Sequence, residues 1–295
     1  GVILSKIKKV VFPVAGLGSR FLPATKIIPK EMLPIVDVPQ IQLALEEAVS
    51  SGVEEAIFIT SRGKESIVDH FDIAYELKDR LMKSNQDEIL SSLEELTQKI
   101  RIVSVRQEHP LGLGHALLCA EELIGEESFA VVLSDDLIRS EVPVIKQMID
   151  VSVSLDHAPV IAIMKVSGSD ISKYGVIKGK ETILKEKTLL VIEDVVEKPK
   201  FEEAPSNLAI IGRYILNSEI FKYINKVNPD SKGEIQLTDA IKMMLDSKQV
   251  YGYEFEGKRY DAGSKIGFIK ANIEYGLSRK DIGEELREYL KDLNF

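Results

Sequence analysis

Residues 10–21 of the chain read VVFPVAGLGSRF, a short apolar run that leads directly into two glycines. The β-branched residues predict a strand, and the glycines after it predict a loop. Glycines in such a loop let the backbone approach a ligand closely and aim N–H groups at phosphate oxygens. By itself the motif is not specific, because Phe21 stands where a dinucleotide-binding loop needs a third small residue and no Gly-Lys-Ser/Thr completes a P-loop. An ordinary strand-to-helix turn therefore remains an alternative on this stretch alone.

The rest of the chain alternates short β-branched runs with amphipathic helical ones, as stacked βαβ units do. Helices are predicted at 41–49, over most of 64–98, at 115–123 and from 264 onward. Strands are predicted at 10–12, 56–59, 102–105, 129–133 and 160–163, followed by a close set at 176–177, 189–196 and 208–216. Continuous apolar strands indicate a sheet covered on both faces. The predicted fold class is α/β: a Rossmann-like mixed, mostly parallel sheet flanked by helices, with a partly antiparallel extension.

Charge and composition exclude several classes of function. Acidic residues outnumber basic ones by 47 to 38, for a formal net charge of −9, which disfavours nucleic acid as a partner. No apolar stretch approaches the ~20 residues that span a bilayer, and the first residues lack the layout of a signal peptide. We expect a cytoplasmic protein with no membrane or nucleic-acid partner. A small anionic substrate remains possible where basic side chains cluster.

Such a cluster follows the glycines. Arg20, Lys26 and Lys30 face a single acid, Glu31, between residues 16 and 36. Prolines in the same stretch prevent one long helix and limit the flexibility of the loop. A stiff loop with three cations suits a triphosphate, and we favour that interpretation over a solvated basic loop.

Two acidic segments are candidates for a metal site. Asp135 and Asp136 follow the apolar strand at 129–133, and ligands of open α/β sheets gather beyond the carboxyl ends of strands. Asp261 follows another predicted strand. Carboxylates are preferred ligands of Mg²⁺, which also bridges substrate phosphates, so a carboxylate after each of two strands is a candidate magnesium site. Paired aspartates also occur as simple turn or helix-cap residues.

These motifs, taken together, closely resemble the bacterial UTP–glucose-1-phosphate uridylyltransferases. The resemblance covers most of residues 8 to 275 in the family's order. It is carried by FPVAGLGSRFLPATK (12–26), PKEMLPI (29–35), RQ (106–107), GLGHA (112–116), SDDL (134–137), KYGVI (173–177), VEKP (196–199), SNLA (206–209), GEIQLTDA (233–240) and RYDAGSK (259–265). Departures are small: Ser19 stands where Thr is usual, Val38 where Lys is common and Ala262 where Cys is frequent. The segment after about Ser278 lies outside the resemblance.

The resemblance implies a nucleotide-diphospho-sugar transferase fold in one domain, residues 1–295. It divides this domain into a nucleotide-binding half at 8–140, a sugar-phosphate-binding half at 141–263 and a C-terminal helical segment at 264–295. It also implies a homo-oligomer, dimer or tetramer, for which the helices at 64–98 and 264–295 are candidate contacts.

The resemblance further implies a role for individual residues. Gln107 offers an amide that both donates and accepts, which matches the N3–H and O4 of uracil. Nucleotide-binding residues are then Ala15, Gly16, Gly18, Lys26, Glu31, Gln107 and Gly112. Sugar-binding residues are Asp136, Gly175, Glu197 and Asn207, with Asp136 near the sugar or the ribose. Metal ligands are Asp135 and Asp261, and catalytic residues are Arg20, Lys30, Asp135 and Lys198.

The implied reaction transfers UMP from UTP to glucose 1-phosphate, giving UDP-glucose and pyrophosphate. A phosphate oxygen of the sugar would attack the α-phosphorus in line, with Mg²⁺ bridging the two phosphates and no strong general base required. A sister enzyme that uses dTTP or another sugar 1-phosphate is the nearest alternative. A catalytically silent nucleotide-sugar-binding regulator is another, although the five charged residues assigned to chemistry are all present. A dinucleotide-dependent oxidoreductase is disfavoured by Phe21.

Overall fold

The computed structural model describes residues 7–84, 87–184 and 187–293. Within these ranges the strands are β1 (Lys9–Pro13), β2 (Pro34–Ile35), β3 (Val38–Pro39), β4 (Glu55–Thr60), β5 (Arg101–Arg106), β6 (Phe129–Val132), β7 (Asp136–Arg139), β8 (Val160–Lys165), β9 (Gly175–Leu184), β10 (Lys187–Glu197), β11 (Leu208–Leu216), β12 (Tyr251–Glu254) and β13 (Lys258–Asp261). The helices are α1 (Gln40–Ser50), α2 (Glu65–Asp69), α3 (Tyr75–Lys83), α4 (Asp87–Lys99), α5 (Gly112–Leu118), α6 (Glu121–Ile124), α7 (Val144–Ser154), α8 (Ile220–Ile224), α9 (Leu237–Met244), α10 (Lys265–Leu277) and α11 (Gly283–Asp292).

A nine-stranded sheet with the order β5-β4-β1-β6-β11-β8-β12-β10-β9 forms the centre of the fold. Strand β11 is antiparallel to β6 and β8, and β10 is antiparallel to β12 and β9. The other strands share one direction, through parallel pairs such as β1 with β4 and β12 with β8. The predicted fold class, a mostly parallel mixed sheet with an antiparallel extension, is confirmed. Both predicted halves contribute strands to this one sheet, through the pairing of β6 with β11.

Both faces of the sheet are buried, as its continuous apolar strands predict. Side chains of a strand alternate between the faces, so Val10 and Phe12 pack into one core cluster while Val11 packs into the other. Helices α1 and α7 cover the first face, and α5, α6, α8 and α9 cover the second. Because the strands are buried on both faces, the positions of their ends are fixed, and these ends carry the polar loops.

One predicted helix is wrong in its extent. The sequence predicts a helix over 115–123, but α5 begins earlier, at Gly112, and ends at Leu118, and α6 starts again at Glu121. The chain tightens between them, where the Ala120 N–H donates to the Leu117 carbonyl instead of continuing the α-helical pattern. The other predicted helices are present, with the 64–98 segment divided into α2, α3 and α4.

A small second sheet, which the sequence analysis did not predict, lies beside the large one. Strand β7 pairs with β13 in antiparallel register, with Asp136 opposite Asp261. Helix α10 follows directly, and its Ser264 side chain caps it by accepting the N–H of Gly267. This pairing brings together acids that are far apart in sequence. No helix within the described ranges is both long and apolar enough to cross a membrane.

Candidate active site

A cavity of about 530 Å³ opens where the polar loops of the large sheet and the small sheet meet. Its wall combines residues from the glycine loop, the β6–β7 turn, the ends of β9 and β10, the start of α9, and β13. Those that bear on its chemistry are Arg20, Asp135, Asp136, Lys173, Tyr174, Gly175, Glu197, Lys198, Gly212, Glu234, Gln236, Thr238, Arg259 and Asp261. Predicted residues of the catalytic, metal and sugar groups thus share one cavity, whereas those of the nucleotide-binding group are not among the described residues that line it.

The glycine loop, residues 14–30, is fixed by side-chain hydrogen bonds to two of its carbonyls and has free space beside Gly16. Thr25 Oγ1 donates to the Gly18 carbonyl at 2.7 Å, and Ser61 Oγ donates to the Ala15 carbonyl at 2.9 Å. Gly18 has φ 65°, which favours glycine. No atom of the described residues lies within 4 Å of where a Cβ on Gly16 would stand. The backbone at Gly16 is therefore free to approach a ligand, as predicted from the sequence.

Two aromatic rings connect the glycine loop to the C-terminal helices. The Phe21 ring contacts the Phe268 ring of α10 edge-on, with centroids 5.5 Å apart. Such pairs contribute about 0.5–1.5 kcal/mol beyond their area. Helix α10 thus supports the residue next to Arg20.

The three cations of the loop are not equivalent. Lys30 Nζ lies 2.6 Å from Asp135 Oδ2, with about a quarter of each side chain exposed. Burial alone would lower the pKa of Lys30, but the charges of Asp135 and Glu31 raise it above its usual value. Arg20 lines the cavity, whereas Lys26 is exposed on the loop and outside the part of the wall formed by described residues. The nucleotide role of Lys26 stays a prediction.

Glu31 requires a correction. It was predicted to bind nucleotide, but its side chain is only 1% exposed and its Oε2 accepts from Lys64 Nζ at 2.7 Å. Burial raises the pKa of Glu31, against the opposing effect of Lys64. The buried carboxylate is paired with Lys64 and is not among the described residues that line the cavity, so this placement does not support the predicted nucleotide contact.

Two carboxylates meet at Gly263. A Cβ on this residue would stand 2.8 Å from Asp135 Oδ2 and 3.2 Å from Asp261 Oδ1, so the missing side chain leaves room between them. Burial would raise the pKa of Asp135, but Lys30 lowers it below its usual value, so the carboxylate is ionised at neutral pH. Among the residues that the structure describes, no group of three His, Cys, Asp or Glu side chains could hold a metal. Two carboxylates suffice for Mg²⁺, which commonly uses one or two together with substrate phosphates. The donor set at Gly263 fits that ion.

Asp136 is placed differently from its neighbour. Its Oδ1 accepts from Arg259 Nε at 2.6 Å and its Oδ2 accepts from the Gly212 N–H at 2.9 Å. Burial raises the pKa of Asp136 despite Arg259. Asp136 lines the cavity, and each of its oxygens already accepts one hydrogen bond from the protein, so its sugar or ribose contact stays a prediction.

The predicted base-reading residues lie together beside the cavity. Gln107 Nε2 donates to the Gly112 carbonyl at 3.2 Å and lies 2.9 Å from His115 Nδ1. A Cβ on Gly112 would stand 2.9 Å from the Ile235 carbonyl, and the Gly114 N–H donates to the same carbonyl at 2.9 Å. Gly112 and Gly114 are thus required because the backbone of Ile235 packs directly against them. Their role toward the base stays a prediction.

On the sugar side, Glu197 ends β10 and is oriented by a neighbour. Its Oε2 accepts from Thr238 Oγ1 at 3.0 Å, and its Oε1 lies 2.9 Å from Lys198 Nζ. Lys198 has φ 42°, a conformation that L-residues rarely adopt and that is frequent at functional sites. A Cβ on Gly175 would come within 3.3 Å of Glu197 Oε2, so a larger residue there would crowd the carboxylate.

Asn207 is the second correction. It lies in a separate shallow depression with Ser167, Phe201 and Ser206, and the described wall of the main cavity does not include it. Its carbonyl accepts the Val166 N–H, which ties the residue to the end of β8. This placement does not support the predicted sugar contact of Asn207.

Sequence reasoning assigned no role to several residues that the structure brings to the site. Arg259 holds Asp136, donates to the Tyr174 hydroxyl at 2.9 Å and stacks over that ring. Arg259 lies two positions before Asp261 on the same strand, so the two side chains point to the same face of it. The sequence could therefore have predicted that Arg259 lies near the site. Thr238 and Gln236 stand in the quoted GEIQLTDA motif and gave no further signal.

Comparisons with known proteins agree with this geometry. The family model described as nucleotidyl transferase matches residues 9–277. A UTP–glucose-1-phosphate uridylyltransferase of Staphylococcus epidermidis is 46% identical over 291 residues, covering 99% of this chain and 100% of the relative. The UTP–glucose-1-phosphate uridylyltransferase YngB of Bacillus subtilis is 45% identical over 288 residues, covering 98% and 96%.

Solved structures are similar over the same length. A UDP-glucose pyrophosphorylase complexed with UDP-glucose superposes with a TM-score of 0.83 at 45% identity, covering 92% of this chain and 100% of that one. A UTP-bound enzyme of the same kind from Acinetobacter baumannii gives a TM-score of 0.88 at 38% identity, covering 98% and 100%.

Proposed function

The chain belongs to the nucleotidyl transferase family, among the UTP–glucose-1-phosphate uridylyltransferases, and we propose that it transfers UMP from UTP to glucose 1-phosphate. The observation that carries the proposal is the shared cavity. It joins Arg20 and Asp135, the ion-pair partner of Lys30, on the proposed nucleotide side with Glu197 and Lys198 on the proposed sugar side.

The proposed reaction is a direct displacement. An oxygen of the glucose 1-phosphate phosphate forms a bond to the α-phosphorus of UTP, and the bond from that phosphorus to the β-phosphate oxygen breaks. Pyrophosphate leaves with the electron pair of that bond. A phosphate monoester is largely ionised at pH 7, because its second pKa is near 6, so no side chain has to remove a proton. The chain's task is to position two anions and to neutralise their charge.

Each cation of the cavity has a place in this scheme. Arg20 and Lys30 stabilise the charge that develops on the leaving pyrophosphate, and Lys198 holds the attacking phosphate. The ion pair between Lys30 and Asp135 is partly exposed, so Lys30 Nζ can donate to a phosphate oxygen that enters the cavity. Lys198 is more than half exposed and retains donors for a phosphate while it contacts Glu197.

Asp135 and Asp261 would hold the Mg²⁺ ion, with the space at Gly263 between their carboxylates. When bound, the ion supplies positive charge to the phosphate oxygens and fixes their orientation. The low pKa of Asp135 favours this arrangement, because it keeps an anionic oxygen donor available at neutral pH.

Recognition of the two substrates rests on the residues beside these charges. The backbone at Ala15 and Gly16, together with Gln107 and Gly112, would contact the base, and Gly175 and Glu197 would contact the glucose. Thymine presents the same N3–H and O4 as uracil, so these contacts distinguish UTP from dTTP only through the methyl group, for which a pocket gives about 1–3 kcal/mol.

The test is pyrophosphate release over a matrix of nucleoside triphosphates and sugar 1-phosphates, with and without Mg²⁺. We expect the highest kcat/KM for UTP with glucose 1-phosphate and no turnover after chelation of divalent ions. Higher kcat/KM with dTTP, or with another sugar 1-phosphate, would assign the chain to a sister activity. UDP-glucose binding without pyrophosphate release in any combination would instead identify a silent regulator.

A further inference from the structure

A fully buried arginine lies beneath the turn that carries Asp135. Arg213 stands in the otherwise apolar strand β11 and has none of its surface exposed. Its Nη2 lies 2.7 Å from Glu47 Oε2 and its Nε lies 3.1 Å from Glu47 Oε1, so helix α1 supplies the counter-charge. A buried pair of this kind is commonly no more stabilising than well-packed apolar residues of similar volume. Packing alone therefore does not explain a cation at this position.

Of the remaining donors of the guanidinium, one goes from Nη1 to the Gly212 carbonyl at 3.0 Å, and the others go to the turn. Nη2 donates to the Asp136 carbonyl at 2.8 Å, and Nη1 donates to the Leu133 carbonyl at 3.0 Å. These two carbonyls are the two ends of the four-residue turn 133–136. The planar fork of arginine can donate to both at once, whereas a single ammonium group cannot match that geometry.

The neighbouring glycine holds the same turn from the backbone. The Leu133 N–H donates to the Gly212 carbonyl, and the Gly212 N–H donates to Asp136 Oδ2, both at 2.9 Å. A Cβ on Gly212 would stand 2.6 Å from Asp136 Oδ2, so only glycine allows this approach. Within the same turn, the Asp135 carbonyl accepts the N–H of Ala262 at 2.8 Å. Its position therefore also affects the loop that follows Asp261.

We propose that Arg213, neutralised by Glu47, is a positioning residue that fixes the 133–136 turn and thereby sets the carboxylate of Asp135 against Lys30 and Asp261. The guanidinium does not touch substrate. Its effect reaches the cavity through the two carbonyls and through the Ala262 hydrogen bond. The kinetic readout of this inference rests on the proposed function, whereas the structural readout does not.

The decisive variant removes the charge pair without leaving an unpaired charge. Arg213→Met combined with Glu47→Gln deletes the donors to the turn and keeps an amide oxygen that can accept the Ile145 N–H, as Glu47 Oε1 does at 3.1 Å. We expect a folded protein in which amide hydrogen exchange rises locally at Asp136 and Ala262 but not across β11. We expect kcat to fall about 10- to 100-fold, since displacements near 1 Å cost up to about 10² in rate.

Two further measurements separate positioning from general damage. The Mg²⁺ concentration for half-maximal rate should rise several-fold, while the KM for glucose 1-phosphate stays within about twofold, because Glu197 and Lys198 stand on a different strand. A matched control, Lys165→Ala with Glu254→Ala, removes an exposed cross-strand pair of the same net charge and should change none of these quantities.

Unchanged exchange at Asp136 and Ala262 in the folded double variant, with wild-type kcat, would overturn the inference. If the double variant does not fold, Arg213→Lys decides the question. It keeps a charge against Glu47 and should still show faster exchange at the turn, and exchange equal to wild type would again overturn the inference. Absence of pyrophosphate release by the wild-type chain would refute the proposed function, while the exchange measurement would still test the role of Arg213.

Discussion

Lys30, the last residue of the glycine loop, and Glu31, which follows it, form two lysine–carboxylate pairs, one at the cavity and the other buried on what we call the underside of the loop. On the cavity side, Lys30 meets Asp135 at 2.6 Å, with 26% and 24% of the side chains exposed. On the underside, Lys64 meets Glu31 at 2.7 Å, with 7% and 1% exposed. The distances are nearly equal, so distance does not separate the two pairs. The two pairs differ in their access to solvent, and therefore in the ability of their lysines to exchange one partner for another.

This difference in exposure predicts different roles for the two pairs. A partly exposed ammonium can exchange a carboxylate for a phosphate at little cost, because water and the ligand replace what it loses. A buried carboxylate without its cation would have to bear several kcal/mol of desolvation. We therefore expect the cavity-side pair to serve binding and the underside pair to serve stability, and four experiments can break or sharpen this division.

The largest effect is expected on the underside. Glu31→Gln leaves the Lys64 ammonium buried without its counter-charge, and breaking such a pair costs about 3–5 kcal/mol of the free energy of unfolding. Urea denaturation measures it. The matched control is Glu54→Gln, whose partner Lys8 lies at 2.9 Å in an exposed pair and for which about 1 kcal/mol or less is expected. Equal losses in the two variants would contradict the division.

Next in size is the cavity side. Lys30→Met should lower kcat about 10²- to 10³-fold, as the loss of one oxyanion donor does in other enzymes, with little change in the thermal midpoint. Pyrophosphate release and a thermal melt measure the two quantities on one sample. Lys200→Met, at a lysine that is 79% exposed, serves as the control and should keep the wild-type rate. A folded Lys30→Met protein with near wild-type turnover would show that Lys30 is not catalytic.

The two glycines of the loop offer a smaller contrast. Gly18→Ala places a Cβ 3.0 Å from Lys30 Cβ at a φ of 65°, so about 1–2 kcal/mol of stability should be lost. Gly16→Ala meets no described atom within 4 Å, so stability should be unchanged while the KM for UTP rises. Unfolding and kinetic measurements on both variants would show whether strain and ligand approach are separate, and a normal KM for Gly16→Ala would contradict the proposed contact.

The smallest expected effect depends on pH. Burial, with a contribution from His109, lowers the pKa of His115, so its ring is neutral at pH 7 and its Nδ1 can accept from Gln107. Because the folded pKa is the lower one, this group contributes stability above the unfolded value near 6.5, and that stability is lost as the pH falls from there through the lowered folded pKa. Protonation removes the acceptor, so the KM for UTP should rise a few-fold between pH 7 and 5.5, as expected for about 0.5–1.5 kcal/mol. His115→Gln should abolish the rise, and its persistence there would assign it to another group.

Most of the fold could be predicted, because strands such as β1 and β6 are continuous apolar runs whose burial leaves few alternatives. The pairing of β7 with β13 could not, since four-residue strands with charged residues carry little periodicity. The assignments of Asp135 and Asp261 as metal ligands came from resemblance, and their meeting at Gly263 fits them. The burial of Glu31 against Lys64 could not be predicted, because neighbouring residues on a loop have no fixed period.

Buried charges were the other omission. Arg213 interrupts an apolar strand, and an arginine is almost never fully buried without a partner, so its position alone indicated a paired cation. Its partner, Glu47, lies 166 positions away in the chain, and nothing in the sequence predicts that these two residues pair.

The contact between Phe21 and Phe268 has a consequence for how the protein is made. During synthesis the glycine loop leaves the ribosome early, whereas Asp261 and helix α10 emerge only after the central strands have been translated. Until α10 docks, a nascent chain presents the loop without the ring that supports it and without the second carboxylate. The supported form of the glycine loop and the proposed metal site therefore both depend on residues from Asp261 to helix α10.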